Sequence, residues 1–179
     1  RDPARAEVLE LVANTSSNAK ATGQVEAVNQ ADVVVLAVPG VVAQEVAASF
    51  DLSGKLVIDP TNQMAAGDDG YMSHTSATSN AEDIQAMYPD ARVVKAFNTL
   101  NYMQMIDPAS SGGPISIPLA GNDTDAKEFV AELVDGMGLE PVDIGSVRFA
   151  HVLEGMLVIW VNARRSGSSY EYHLRLNLQ

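Results

Sequence analysis

The sequence predicts an α/β fold built on a doubly wound parallel sheet. Short apolar runs rich in β-branched residues lie at 32–38, 55–59 and 92–97, and proline or polar turn residues follow each run. Segments with apolar residues at helical spacing separate the runs. Strands that alternate with helices form parallel sheets with both faces covered, which explains the near-continuous apolar character of the runs.

The first helix is predicted to begin at the start of the chain. Asp2 is a typical N-cap residue, and Pro3 suits the first helical position, where its missing N–H has no partner to lose. Val8, Leu9 and Val12 supply an apolar face.

The other elements of the first part follow in order. Residues 24–30 predict a short helix before the first strand, and residues 41–50 and 81–88 predict helices between the later strands. The segment 63–80 is rich in Gly, Asp, Ser and Thr. This composition suits either a long surface loop over a site or an ordinary flexible excursion.

A smaller C-terminal α/β unit is predicted after Gly112-Gly113-Pro114, which marks a linker. Its expected elements are a strand at 115–120, a helix at 124–136 capped by Asp123, a strand at 140–144, a long helix at 147–164 and a last strand at 170–176. We therefore divide the chain into residues 1–105 and residues 106–179.

Composition excludes several classes of function. The net charge of −12 disfavours nucleic acid and anionic membranes as partners, and the longest apolar run, 31–38, is too short to span a bilayer. The absence of cysteine excludes disulfides and thiolate chemistry and fits a cytoplasmic protein. The three histidines are widely spaced and no G-x-S-x-G motif occurs, so we expect neither a metal site nor a serine hydrolase.

Two groups of residues are candidates for ligand binding. Parallel sheets bind ligands beyond the carboxyl ends of their strands. Here those ends are 38–40, 59–62 and 96–99, although each proline or glycine there also suits a simple turn. Arg1 and Arg5 lie one helical turn apart at a helix N-terminus, which suits either a phosphate site or a solvated helix end.

A series of motifs resembles the coenzyme F420-dependent NADP reductases and their relatives, which include the NADPH-binding domain of the STEAP metalloreductases. The block Lys95-Ala96-Phe97-Asn98-Thr99 is fairly specific for this group. The motifs in order are Arg1-Asp2-Pro3-Ala4-Arg5, Ala31-Asp32-Val33 through Val38-Pro39, Ile58-Asp59-Pro60-Thr61-Asn62, Val93-Val94-Lys95-Ala96-Phe97-Asn98-Thr99, Ala120-Gly121-Asn122-Asp123 and Leu153-Glu154.

The resemblance implies a Rossmann-type fold and a set of cofactor-binding residues. Arg1 and Arg5 would hold the 2′-phosphate of NADP. The positions implied along the ribose, the nicotinamide and the second redox partner are Val38, Pro39, Gly40, Gln44, Asn62, Ala96 and Asn98.

The chain departs from this family at its start. The family begins with a strand and a glycine-rich turn, and neither precedes Arg1. We therefore expect the first βα unit and the second strand to lie upstream, in roughly 30 further residues, the size of a βαβ unit. The 179-residue chain by itself is then expected to be weak or inactive as an enzyme.

The function expected from the resemblance is hydride transfer between NADP(H) and a deazaflavin (F420) or flavin acceptor. Such a transfer needs positioned rings rather than a protein acid or base, so we name no catalytic residue. The alternatives are an NADPH-dependent reductase of a small substrate or ferric chelate, and a non-catalytic NADP-binding module. Met156, Leu157 and Trp160 on the long helix suit either the core or the interface of a homodimer.

Overall fold

The computed structural model describes residues 2–15, 18–168 and 174–176. The chain divides into two compact units, Arg1–Asp32 and Val33–Gln179. No helix in the described ranges has both the length and the apolar character needed to cross a membrane.

The first unit contains helices α1 (Ala6–Ala13) and α2 (Gln24–Gln30). The second helix has the predicted bounds. The predicted start of the first helix at Asp2 and Pro3 is wrong, because Arg5 is the N-cap residue. The Asp2 carboxylate instead accepts a hydrogen bond from the backbone N–H of Ala4 at 2.9 Å and closes a turn before the helix.

The second unit contains all the strands that occur in the described ranges. Its elements in chain order are β1 (Val33–Val35), α3 (Ala43–Ala48), β2 (Leu56–Asp59), β3 (Met64–Ala66), β4 (Met72–His74), α4 (Asn80–Met87), β5 (Arg92–Lys95), α5 (Tyr102–Ile106), β6 (Ser116–Gly121), α6 (Thr124–Gly136), β7 (Glu140–Asp143) and α7 (Ala150–Arg165). The predicted α/β class, with a mostly parallel sheet and flanking helices, is confirmed.

Five of the strands form the central sheet, in the order β1-β2-β5-β6-β7. The pairs β1–β2, β2–β5 and β6–β7 are parallel, whereas β6 runs antiparallel to β5. The pair β5–β6 is therefore the one antiparallel pair in this mostly parallel sheet. The connection from β5 to β6 contains only the five-residue helix α5 and a 3₁₀ turn over Pro108–Ser111, so the chain turns back from the edge where β5 ends.

Two features differ from the predicted outline. Strands from both sides of the predicted boundary at 105/106 belong to one sheet, because β5 pairs with β6. The segment predicted as a loop, 63–80, contains the antiparallel hairpin β3–β4. Of the predicted last strand, only 174–176 are described; there Ser116 donates its backbone N–H to the carbonyl of Leu174 at 2.8 Å, and residues 170–173 lie outside the described ranges.

The core of this unit lies between the sheet and α6. Ile58, Val94 and Ile117 of the sheet are buried with Val130 and Val134 of α6. Asp123 caps α6 by accepting the backbone N–H of Ala126 at 2.7 Å, as predicted. Helix α6 covers this part of the sheet. Helix α7 contacts the carboxyl end of β5, where Glu154 accepts a hydrogen bond from Lys95.

A candidate ligand site at the carboxyl edge of the sheet

The candidate site begins where β2 and β5 end side by side. Asp59 and Lys95 are the last residues of these strands and lie opposite each other in the parallel register. Both side chains are fully buried, although charged residues are rarely buried without a partner. Their position at the strand ends therefore calls for a local network of compensating charges.

Lys95 is the centre of that network. Its ammonium group donates to Asp59 Oδ2 at 2.9 Å, to Glu154 Oε1 of α7 at 2.6 Å and to the carbonyl oxygen of Thr61. Glu154 is also fully buried. A lysine ammonium has three N–H donors, so each donor of Lys95 has an acceptor.

Backbone groups occupy the second oxygen of each carboxylate. The N–H of Thr61 donates to Asp59 Oδ1 at 2.9 Å, and the N–H of Gln63 donates to Glu154 Oε2 at 3.0 Å. The network thus fixes the segment that leaves β2, and it joins α7 to the ends of both strands.

Two asparagines continue this edge. Asn98 Nδ2 donates to Asn62 Oδ1 at 3.0 Å and to the carbonyl oxygen of Leu153 at 3.0 Å, while Asn62 Nδ2 donates to the carbonyl oxygen of Asn98 at 3.2 Å. The reciprocal contact orients both amides. The contact with Leu153 gives α7 a second link to the strand ends, one residue from Glu154.

The turn after β1 packs closely on the same edge. A β-carbon placed on Gly40 would lie 1.9 Å from the carbonyl oxygen of Asn62, a distance that no side chain tolerates. Asn80 Nδ2 holds this turn by donating to the carbonyl oxygen of Gly40 and to Thr61 Oγ1, both at 2.8 Å. Glycine at position 40 is therefore a requirement of the close approach.

A cavity of about 320 Å³ opens beside these groups, between the strand ends and α7. Its lining is mostly apolar and aromatic, with amide and hydroxyl groups at one side. The lining residues are Pro60, Asn62, Phe97, Asn98, Thr99, Leu100, Asn101, Tyr102, Met156, Leu157 and Trp160. Apolar clefts with a few placed polar groups are typical of small-molecule sites.

The hairpin β3–β4 is fastened to α7 near the network. Asn162 accepts the N–H of Met72 at 2.7 Å and donates to its carbonyl oxygen at 2.9 Å. The rings of His74 and His151 lie 4.2 Å apart. Burial lowers the pKa of His74, and so does the charge of His151, while Glu154 acts in the opposite direction. These effects together favour the uncharged form of His74.

The structure brings together some of the predicted site residues and gives others internal roles. Asn62 and Asn98 both line the cavity. Gly40 contacts Asn62 from the turn after β1, whereas Ala96 is fully buried in the core. The amide of Gln44 donates to Asn80 Oδ1 at 3.2 Å and to Asp83 Oδ2 at 2.6 Å.

The remaining predicted residues lie in the turn after β1, before the first helix, or outside the described residues. Val38 is half-buried and Pro39 is exposed in the turn that follows β1. Arg5, in the first unit, pairs with Glu7 at 3.4 Å, and both side chains are more than half exposed. Arg1 lies outside the described residues. No group of three potential metal-ligating side chains occurs in the described ranges.

The buried network and the aromatic residues that line the cavity were not predicted from the sequence. A signal was present for Lys95, because a lysine inside an apolar β-branched run needs a counter-charge. Asp59 at the end of the preceding strand is a natural partner for it. Glu154 gave no such signal, since its distance of 59 residues from Lys95 hides the contact.

Comparisons with known proteins agree with this architecture. A family model described as NADP oxidoreductase, coenzyme F420-dependent, matches residues 1–63. A crystal structure of a putative F420-dependent NADP-reductase from Arthrobacter sp. FB24 superimposes with a TM-score of 0.72 at 29% identity, over 79% of this chain and 67% of that one. A hypothetical protein from Sinorhizobium meliloti superimposes with a TM-score of 0.57 at 34% identity, over 68% of this chain and 60% of that one.

Curated relatives include two metalloreductases. Rat metalloreductase STEAP3 is 30% identical over 141 residues, which cover 78% of this chain and 28% of that protein. Mouse metalloreductase STEAP2 is 29% identical over 106 residues, which cover 59% of this chain and 20% of that protein. The chain thus spans about a quarter or less of the length of these relatives.

These findings confirm the family resemblance derived from the motifs. The chain is similar in sequence to NADP-dependent oxidoreductases and metalloreductases, and it shares the Rossmann-like fold of the superimposed reductase structure.

Replacing Lys95 should be severely destabilising. In Lys95→Met, the carboxylates of Asp59 and Glu154 lose their common counter-charge in the interior, so we expect the free energy of unfolding to fall by about 3–5 kcal/mol. Urea denaturation followed by circular dichroism measures this loss. The triple variant Lys95→Met/Asp59→Asn/Glu154→Gln, which removes all three charges, should recover part of it.

The ion pair between Lys127 and Asp143 provides the matched control. Its N–O distance is 2.7 Å, but more than half of the Asp143 side chain is exposed. Lys127→Met should therefore change the free energy of unfolding by at most about 1 kcal/mol. Equal losses for Lys95→Met and Lys127→Met would contradict the structural role of the buried network.

Adding one methyl group at Gly40 should disturb the site. In Gly40→Ala the new β-carbon collides with the backbone of Asn62, and we expect a loss of about 1–3 kcal/mol in denaturation experiments. Gly136 is the control, because a β-carbon there meets no atom within 4 Å of the described chain. Gly136→Ala should stabilise α6 by roughly 0.5–1 kcal/mol. If Gly40→Ala is as stable as the wild type, the close approach is wrong.

Proposed function

We propose that the protein is an NADP(H)-dependent oxidoreductase that exchanges a hydride between the nicotinamide and a deazaflavin or flavin acceptor bound in the cavity. The observation that supports this proposal best is the position of the cavity. It lies at the carboxyl ends of adjacent parallel strands, where sheets of this class bind nucleotides and their reaction partners. The Arthrobacter protein that shares this fold is described as a putative F420-dependent NADP-reductase.

The size and lining of the cavity favour a planar conjugated acceptor. Ligand cavities typically measure roughly 300–1,000 Å³. The observed volume of about 320 Å³ therefore suits a ring system better than a whole dinucleotide. The aromatic side chains of Phe97, Tyr102 and Trp160 line it together with Met156 and Leu157. Flat aromatic and thioether groups pack well on flat conjugated rings.

The polar groups of the cavity suit positioning rather than proton transfer. The described residues that line it include no Asp, Glu, His, Lys or Arg. Asn62 and Asn98 are held in fixed orientations by each other and by Leu153. A nicotinamide cofactor supplies the hydride, and the protein has to hold the rings in place and keep water away. We accordingly assign no general acid or base.

The preference for NADP over NAD is assigned to Arg1 and Arg5. The ion pair between Arg5 and Glu7 is long and exposed, so it contributes little stability and leaves the guanidinium available for a phosphate. Arginine binds phosphate in a bidentate manner, and a helix N-terminus adds favourable backbone dipoles. This assignment follows from the family, whose description names NADP.

Metalloreduction is the second candidate function. It is favoured by the curated relatives, which are named metalloreductases. Ferric chelates are then the final electron acceptors: each NADPH that is oxidised to NADP⁺ releases one proton and reduces two ferric ions to ferrous ions. The uncharged lining of the cavity favours a conjugated ring over an anionic chelate, which makes this the weaker candidate.

Turnover assays with several acceptors test the proposed function. The full-length protein is mixed with NADPH or NADH and with oxidised deazaflavin, flavin mononucleotide or ferric citrate, and in the reverse direction with NADP⁺ and reduced deazaflavin, and the nicotinamide absorbance is followed. We expect hydride exchange with the deazaflavin or flavin and a preference for NADPH. Arg5→Ala should weaken NADPH binding roughly 10- to 100-fold and leave NADH binding unchanged.

Lys20→Ala is the control for the loss of a positive charge in the same unit. It should leave both affinities unchanged. Turnover with ferric citrate alone would favour metalloreduction. NADPH binding without turnover of any acceptor would contradict the proposed enzyme and favour a nucleotide-binding module.

A further inference from the structure

Phe97 has a backbone conformation that its residue type disfavours. Its φ is +65°, and no other non-glycine residue in the described ranges has a positive φ. For L-residues this left-handed region brings the β-carbon close to the following carbonyl oxygen, and bulky side chains are rarely found there. Phe97 comes two residues after Lys95, the last residue of β5, and both Lys95 and Ala96 are buried.

The groups on either side impose this conformation. Before Phe97, Lys95 is fixed by its three acceptors and the N–H of Ala96 donates to the carbonyl oxygen of Asp59 at 3.3 Å. After it, the Asn98 side chain is fixed by its hydrogen bonds to Asn62 and to the carbonyl oxygen of Leu153 in α7. Strain of this kind persists only where neighbours over-determine the backbone, and it occurs most often at functional sites.

The conformation gives the Phe97 side chain two environments. One part of the residue packs against the apolar core formed with α6, and the residue also lines the cavity. Glycine would adopt the same φ without strain, so the backbone alone does not require a phenylalanine here. The aromatic ring at this position is therefore better explained by a contact made in the cavity.

We propose that Phe97 is the binding residue against which the planar ring of the acceptor packs, and that its left-handed backbone sets the position of that ring. This inference rests on the proposed function and deepens it, because it assigns acceptor recognition to one side chain separate from the NADP-binding arginines. Offset stacking between aromatic rings contributes free energy beyond the burial of apolar area. A fixed backbone at Phe97 also restricts where its ring can lie before the ligand binds, which lowers the entropy cost of binding.

Flavin binding to Phe97 variants tests the proposal. Trp160 is the only tryptophan of the chain and lines the cavity, so its fluorescence reports a ligand bound there. Flavin mononucleotide is titrated into the wild type, Phe97→Leu and Phe97→Tyr. Leucine keeps an apolar side chain but lacks a flat face, and we expect its dissociation constant to rise roughly three- to tenfold. Tyrosine keeps the flat face and should bind like the wild type.

Phe129→Leu is the matched control. Phe129 is a partly exposed aromatic residue of α6 that does not line the cavity, so this variant should bind the flavin like the wild type. NADP⁺ affinity should be the same in all four proteins. Thermal unfolding of each variant shows that the comparison is made between folded proteins. If Phe97→Leu does not fold, Phe97→Gly takes its place, because glycine adopts the positive φ without strain and also lacks a flat face, so its dissociation constant should rise as well.

The outcomes separate this inference from the proposed function. If flavin quenches the Trp160 fluorescence of the wild type and Phe97→Leu binds the flavin as tightly as the wild type does, the role of Phe97 is overturned and the acceptor site stands. A loss of affinity in Phe129→Leu as large as in Phe97→Leu overturns it as well. If neither flavin mononucleotide nor a deazaflavin quenches Trp160 in the wild type, the assignment of the acceptor to the cavity fails, and the role of Phe97 fails with it.

Discussion

The contacts of the Lys95 ammonium are the constraint on which the rest of the second unit depends. A fully buried ammonium is tolerated only when every N–H finds an acceptor and the charge is balanced. Asp59, Thr61 and Glu154 meet this condition from three different segments. The requirement therefore brings the ends of β2 and β5 and the N-terminal half of α7 to one point, and the cavity lies beside that point.

At this edge of the sheet the buried charged groups are consequently separate from the cavity. The charged groups are held inside the network, whereas the cavity presents neutral amides and aromatic rings. Such a lining offers no acid or base that would compete for the reacting atoms. This division fits hydride exchange, in which the placement of two rings decides the rate. The strained backbone of Phe97 depends on the same network, because the network fixes the residues that precede Phe97.

Local patterns predicted much of this structure, and long-range contacts were beyond them. Apolar periodicity and caps located α2, α4, α6 and α7, and the strand-end rule together with the family motifs indicated Asn62 and Asn98. The reversal of β6 depends on how the chain leaves β5, and the hairpin β3–β4 depends on Asn162 and His151 of a distant helix, so composition suggested only a loop. The φ of Phe97 likewise follows from its neighbours and not from its type, which favours the opposite sign.

A crystal structure of the full-length protein with NADP⁺ and a bound deazaflavin or flavin tests the central claim most directly. We expect the acceptor ring to occupy the cavity between the ends of β2 and β5 and α7, in contact with Phe97 and close to the paired amides of Asn62 and Asn98. Density for the acceptor at any other surface, with the cavity filled only by solvent, would contradict it.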